Sequence, residues 1–256
     1  MIDSHCHLDA PEFTVDRASL LEQARAAGVR QWVVPAVTVD GFAGLKSCVA
    51  ETPGAGAAYG LHPLYVTART VTEVDIVADW LVREKPLAVG EIGLDYFVPD
   101  LDREAQQAVF EAQLSLARRH DLPVILHVRR AVDAVLRTLK KIPVQGGIAH
   151  AFNGSRQQAD ALIAQGFKLG MGGAMTFPGS LRIRELASTL PLSSLVLETD
   201  APDIPPAWLG RQRNTPAELG RIAQVLADVR GISRAEVVST TSDAARQALP
   251  GLLDIS

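Results

Sequence analysis

Eight short apolar or β-branched runs alternate with segments of helical period from one end of this 256-residue chain to the other. No other feature constrains the fold as strongly. Apolar strands separated by helices bury both faces only as a parallel sheet with helices packed against it. The strands are predicted at residues 2–6, at 31–37 (QWVVPAV), 57–62 (AAYGLH), 87–93 (LAVGEIG), 123–128 (PVILHV), 146–152 (GGIAHAF), 167–173 (FKLGMGG) and 194–200 (SLVLETD). Between them, stretches such as SLLEQARAAG, EAQQAVFEAQLSLARRH and SRQQADALIAQG place apolar residues three and four apart. Gly28 and Gly166, each just before a strand, are predicted to end helices. Eight strand–helix units in a chain of this length predict a single α/β domain over residues 1–256, a (β/α)8 barrel of the TIM type. A doubly wound open sheet is the alternative. The last helical stretch, RAEVVSTTSDAARQAL, is expected on the outside of the barrel.

Composition supplies material for such a core, with 47% hydrophobic and 21% charged residues. No apolar run reaches the roughly 18 residues needed to cross a bilayer, and the N-terminus lacks the pattern of a secretory signal, so the expected location is cytoplasmic with no membrane partner. Two cysteines, Cys6 and Cys48, are too few for a disulfide framework. The net charge of −4 excludes a generally basic, sequence-independent DNA coat. An anionic substrate would need a local positive field, which bound cations can supply in an acidic protein.

The unusual polar residues fall at the strand ends. In IDSHCHLD, His5 and His7 are two apart, so an extended segment would turn both imidazoles to one side and Cys6 to the other. His62 ends the third strand, Glu91 lies in the fourth, His127 and His150 end the fifth and sixth, and Asp200 ends the eighth. In a barrel these positions share the rim where active sites lie. Five of the 6 histidines are placed this way, where an unpaired polar group is costly, and together with Glu91 and Asp200 they point to a divalent-metal site. His120, at a helix end, reads as a cap or surface residue.

The motifs IDSHCHLD, GLHP, VGEIGLD, PVILHVRRA, HAFNGS, LETDAP and RNTP, in this order over nearly the whole chain, resemble those of the TatD-type metal-dependent deoxyribonucleases of the metallohydrolase superfamily. The resemblance implies two divalent ions, Mg²⁺, Mn²⁺ or Zn²⁺. It places His5, His7, Glu91 and Asp200 at one ion and His127 and His150 at the second, with Glu91 bridging. Ala151, Asn153 and Asp243 depart from the family's usual residues at positions away from these ligands.

Metal-activated water would be the nucleophile, with Asp200 orienting it and accepting its proton and Glu91 serving both ions. His62 either donates to the scissile phosphate or shapes the loop before Pro63. Asp95 is a candidate to orient a ligand from behind, and Asp203 either does the same or braces its turn, whereas Asp3 and Asp9 read as strand-end and loop caps. Arg129, Arg130 and Arg156 are candidate phosphate contacts, and Tyr96, Phe152 and Phe177 could stack on bases or simply pack their loops. The expected activity is phosphodiester hydrolysis on DNA ends or single strands, with DNA as substrate and no obligate protein partner. The alternatives are an amide or ester hydrolase, including one that deacylates D-aminoacyl-tRNA, and a non-catalytic binding barrel. Oligomeric state is not legible.

Overall fold

The structure, a computed structural model, describes residues 1–67 and 70–255. Eight strands, β1 (Ile2–Asp3), β2 (Gln31–Pro35), β3 (Ala55–Tyr59), β4 (Ala88–Asp95), β5 (Val124–Arg129), β6 (Gly147–Ala149), β7 (Phe167–Met171) and β8 (Leu195–Leu197), pair in chain order. Every neighbouring pair is parallel. Helices α1 (Arg17–Ala26), α2 (Phe42–Ala50), α3 (Val74–Glu84), α4 (Arg103–Arg119), α5 (Val132–Lys141), α6 (Arg156–Ala164), α7 (Leu181–Thr189), α8 (Leu219–Arg230) and α9 (Arg234–Ala248) follow in turn. A doubly wound sheet would show a break in strand order, and there is none. The seam between β8 and β1 is bridged by the Ser4 N–H to Leu197 C=O (3.0 Å) and the Asp200 N–H to His5 C=O (2.9 Å), which bring the first and last strands together as a (β/α)8 barrel. No helix among the described residues is long and apolar enough to cross a membrane.

The helix ends follow local chemistry. Gly28 and Gly166 have φ of +98° and +86°, the left-handed turn out of α1 and α6 that residues with a Cβ adopt only under strain. Ser155 and Gln158 form a reciprocal capping box at the start of α6.

Six of the eight strands end earlier than the apolar runs suggest, whereas β4 and β5 run on to Asp95 and Arg129. Ala151 and Asp200 take φ of 43° and 56°, which no ladder accommodates, so β6 and β8 end before them although the buried run continues.

One shell of the core lies between strands and helices and contains Trp32, Val34, Val89, Leu126 and Leu169. Inside the barrel, Ile2, Val33, Ala58, Ala88, Ile125, Ile148 and Val196 supply one residue from every strand but β7. Ala244, Ala245, Ala248, Leu249 and Leu252 pack on this layer. The end of α9 and the turn after it therefore close the N-terminal mouth of the barrel, which corrects the expectation that this helix lies on its outer wall. The physical reason is the run of small residues in α9, which lets the helix approach the strand ends closely. Cys6 and Cys48 are both buried free thiols.

Candidate metal centre

The opposite mouth holds the polar cluster. Beyond β1 the chain still alternates its bonds: Cys6 N–H donates to Val33 C=O (3.0 Å) and His7 N–H to Ala201 C=O (2.9 Å). This extended path turns His5 and His7 to one point, with their Nε2 atoms 3.3 Å apart. Glu91 reaches the same point through a register shift between Val89 and Ile92 of β4. A bulge of this kind re-aims a side chain that strict alternation would send elsewhere.

Glu91 is the centre of the arrangement. Its Oε2 lies 3.0 Å from His5 Nε2 and 3.8 Å from His7 Nε2. Its Oε1 lies 2.7 Å from His150 Nε2, 2.9 Å from His127 Nδ1 and 3.3 Å from His62 Nε2. Asp200 Oδ1 completes the Oε2 side, 3.4 Å from His5 and 3.7 Å from His7. Three ligand sets, His5/His7/Asp200, His5/Glu91/His150 and His62/Glu91/His127, each keep their donor atoms within 4.8 Å of one another. So many nitrogen lone pairs and carboxylate oxygens facing each other repel unless protons or cations lie between them, and imidazole with carboxylate suits a divalent ion.

Protonation follows from burial and partners. Burial, together with neighbouring imidazoles, drives His5 well below the ordinary histidine range and lowers His62 and His150, leaving neutral rings of the kind a cation needs. Burial opposes charge on Glu91, yet His150, His62 and His5 around it hold its carboxyl well below the usual range. Burial also opposes charge on His127, but hydrogen bonds to Asp95 and Glu91 carry it to about 9. Asp200 goes the other way: burial, then the nearby Glu91 and Glu198, push it well above the carboxylate range.

The two remaining histidine orientations are readable from their bonds. His127 Nε2–H donates to Asp95 Oδ2 at 3.0 Å and Nδ1 faces Glu91 Oε1 at 2.9 Å, so the ring is held between two carboxylates, and loss of the Nδ1 proton would free that nitrogen as a ligand. This is the carboxylate–histidine pairing that sets up a ligand, with Asp95 in the orienting position. His62 Nδ1 accepts from the Leu64 N–H at 3.1 Å, which leaves the proton of the neutral ring on Nε2, facing the cleft. A ring held in that tautomer is a donor toward the cleft and a poor ligand. The same bond shapes the turn at Pro63, while Nε2 lies 3.3 Å from Glu91 Oε1 and 3.2 Å from His127 Nδ1.

A cleft of about 1210 Å³ opens over the cluster, lined by His7, His62, Glu91, His127, His150 and Asp200 and by Tyr96, Arg129 and Arg130. Four candidates fall outside the cleft contacts expected of them. Phe152 is 1% exposed within the apolar shell, so its ring is unavailable for stacking. Arg156 donates to both oxygens of Asp160 at 2.9 and 3.0 Å on the surface of α6 and is absent from the cleft lining. Asp203 lines the cleft, but its role is in the turn: its N–H donates to Asp200 C=O (2.8 Å), its C=O accepts from Asn214, and among the described residues its carboxylate bonds no histidine. Phe177, 40% exposed, lies outside the cleft lining. Asp3 caps across strands, accepting from the Thr199 N–H and hydroxyl at 2.9 and 2.6 Å.

Four supporting residues carried signals that went unread. Glu198, two before Asp200, is buried and accepts from the Ala151 N–H at 2.6 Å, which holds the turn behind His150. Gln106 and Gln113, seven apart on α4 and both buried, hold the Asp95 N–H (3.0 Å) and the Leu61 N–H (2.7 Å). Asn214 of RNTP donates to Thr199 C=O (2.7 Å) and Asp203 C=O (2.8 Å). Glutamine at helical spacing within an apolar face was the available clue on α4.

Comparison with known proteins agrees with this geometry. The profile of the TatD related DNases matches residues 2–250. The uncharacterized metal-dependent hydrolase YjjV of Escherichia coli K12 is 40% identical over 90% of this chain and 90% of its own length. The deoxyribonuclease TATDN3 of Homo sapiens is 30% identical over 98% of this chain and 95% of its own. The crystal structure of E. coli YjjV superposes with a TM-score of 0.91 and 37% identity, covering 98% of each chain. A TatD family hydrolase from Entamoeba histolytica, at 18% identity and a TM-score of 0.84, shares the fold over 97% of each chain. The chain belongs to the family of TatD-related DNases, a family of metal-dependent hydrolases.

Proposed function

We propose that the chain hydrolyses phosphodiester bonds of DNA, at ends or in single strands, using two divalent cations (Mg²⁺, Mn²⁺ or Zn²⁺) that His5, His7, Glu91, His127, His150 and Asp200 would hold. The observation that carries this is the two-sided placement of Glu91, one oxygen facing His5 and His7 and the other facing His127 and His150. Bound cations of this kind lower the pKa of a water from about 15.7 to about 7 and stabilise charge on phosphoryl oxygens. His5, His7 and Asp200 would hold one, His127 and His150 the other. Asp200, on the cleft wall with Oδ1 3.4 Å from His5 Nε2, orients the attacking water and takes its proton. His62 presents Nε2–H toward the phosphate. Asp95 fixes the ring of His127 through Nε2.

The bond chosen is a phosphodiester because the amide and ester hydrolases of the superfamily often bridge their metals through a carboxylated lysine, and no lysine lines this cleft. The test is incubation of metal-loaded protein with end-labelled single-stranded DNA in Mg²⁺, Mn²⁺ and Zn²⁺, with Asp200→Ala as the contamination control. Shortened product that disappears in the variant is expected. Absence of cleavage with all three ions, alongside turnover of an ester or aminoacyl-tRNA, would replace this reading.

A further inference from the structure

The cleft carries cations that the metal centre does not use. Arg129, Arg130, Arg137 and Arg182 all line it, and among the described residues none of their guanidiniums has an ion pair or hydrogen bond to a protein group. Arginines elsewhere on the surface do find carboxylates, as Arg156 does with Asp160, Arg213 with Asp16 and Arg246 with Asp243. The cleft's own carboxylates are otherwise engaged: Glu91 and Asp200 belong to the centre, Asp133 accepts from Gln158, and Asp203 sits in its turn.

Two of these guanidiniums share one ring. The Arg129 guanidinium carbon lies 3.7 Å from the centroid of Phe97 and that of Arg130 lies 4.7 Å from it. Phe97 is 43% exposed. The arrangement keeps two like charges together in a chain of net charge −4, and Arg130 reaches it through a left-handed backbone with φ of 54°. Each guanidinium gains from the ring face, and an anion placed between them would offset their mutual repulsion.

The stack is also fixed to the centre. Asp95 Oδ1 accepts from the Phe97 N–H (2.8 Å) and the Val98 N–H (3.1 Å), while its Oδ2 holds His127. The Tyr96 N–H donates to the Arg129 C=O (2.9 Å). One carboxylate thus links an exposed arginine–aromatic stack to a candidate metal ligand.

We propose that the Phe97–Arg129–Arg130 stack is the subsite for the nucleotide beside the scissile phosphate, taking its base by stacking and its flanking phosphate by charge. The proposal rests on the phosphodiester reading. It names single-stranded nucleic acid, because only an unpaired base offers a face to stack. A ring face accepts any base, so the stacking contact selects for strandedness and not for sequence.

The test uses full-length protein carrying Asp200→Asn, loaded with Mg²⁺, and fluorescence anisotropy of labelled oligothymidylate against an abasic oligonucleotide of equal length. Oligothymidylate is expected to bind about tenfold tighter. Phe97→Leu is expected to abolish that preference, and Phe97→Trp to keep it, which separates a lost platform from a lost fold. Arg130→Gln is expected to lower the slope of log affinity against log salt by about 0.7, one phosphate contact to a single strand. No binding, an equal affinity for both oligonucleotides, or a preference that survives Phe97→Leu would overturn the inference. Hydrolysis of methyl p-nitrophenyl phosphate by the metal-loaded wild type separates the two readings. Turnover with no base preference removes only the subsite. No turnover and no DNA cleavage removes the phosphodiester reading itself.

Discussion

Asp95 connects ring orientation to the cleft, because its two oxygens do different work: one holds His127 Nε2, the other the backbone of Phe97 and Val98. Asp95→Asn keeps an acceptor for the backbone but weakens the charge behind His127. It is expected to reduce metal affinity about 10- to 100-fold by isothermal titration while the melting temperature of chelator-treated protein changes little. Glu198 gives a pH signature. Burial pushes its carboxyl from 4.5 up to about 8, and it packs against Gly170, where a Cβ would lie 2.1 Å from Oε2. Below the unfolded value both states hold the proton. Between that value and about 8 only the folded state does, so the stability contributed by the neutral acid is lost as pH rises through this window. Glu198→Gln cannot ionise and keeps an acceptor for the Ala151 N–H. In chelator-treated protein its melting temperature is expected to overtake wild type progressively from about pH 5 to about pH 8, read by thermal denaturation across that range. A constant difference would show that Glu198 does not titrate there.

Among the elements, α4 and α9 support opposite mouths of the barrel. Gln113 exchanges two bonds with Leu61, donating from Nε2 to its C=O (3.2 Å) and accepting from its N–H (2.7 Å), and so positions the residue before His62. Gln113→Leu leaves a buried N–H unpaired and is expected to cost about 1–3 kcal/mol in urea unfolding, with a loss of turnover larger than the loss of metal binding. Leu249, fully buried at the closed mouth, tests the other end. Leu249→Ala is expected to destabilise by about 2–5 kcal/mol while bound metal per folded chain stays constant, measured by denaturant titration and elemental analysis. The same elements show where periodicity stops being informative. Apolar runs located all eight strands, but they overshot β6 and β8 by three residues each (152 against 149, 200 against 197), because burial continues where the ladder has ended. Apolar content placed α9 against the barrel, and only the packing of Ala244, Ala248 and Leu249 on Val33 and Ile148 shows that it plugs the mouth.

At the scale of the molecule, the barrel gathers charge that would repel in isolation. Metal binding to the folded state alone stabilises it by about 2.7 kcal/mol per site at a hundredfold excess over Kd, and for a chain of this size each kcal/mol moves the melting temperature by about 2–4 °C. Chelator is therefore expected to lower the melting temperature by at least about 5 °C, reversibly on adding back the ion, in a thermal scan with and without EDTA. No shift would mean that the cluster holds no ion strongly enough to matter to the fold.

The amino-acid sequence by itself determined the alternation of strand and helix and the location of the ligand candidates at strand ends, because these depend on local period and residue type. His5, His7, Glu91, His127, His150 and Asp200 were all legible for that reason, and the cleft brings them together. Which oxygen of Glu91 faces which histidine was decided by the bulge in β4, which local pattern cannot register. The burial of Phe152, the pairing of Arg156 with Asp160, and the joining of Phe97 to two arginines were decided by contacts between side chains whose directions depend on turns at positive φ. Periodicity encodes which face of an element is buried. Direction at a strand end is set by what the neighbouring strand leaves unpaired, and that exists only once the barrel has closed.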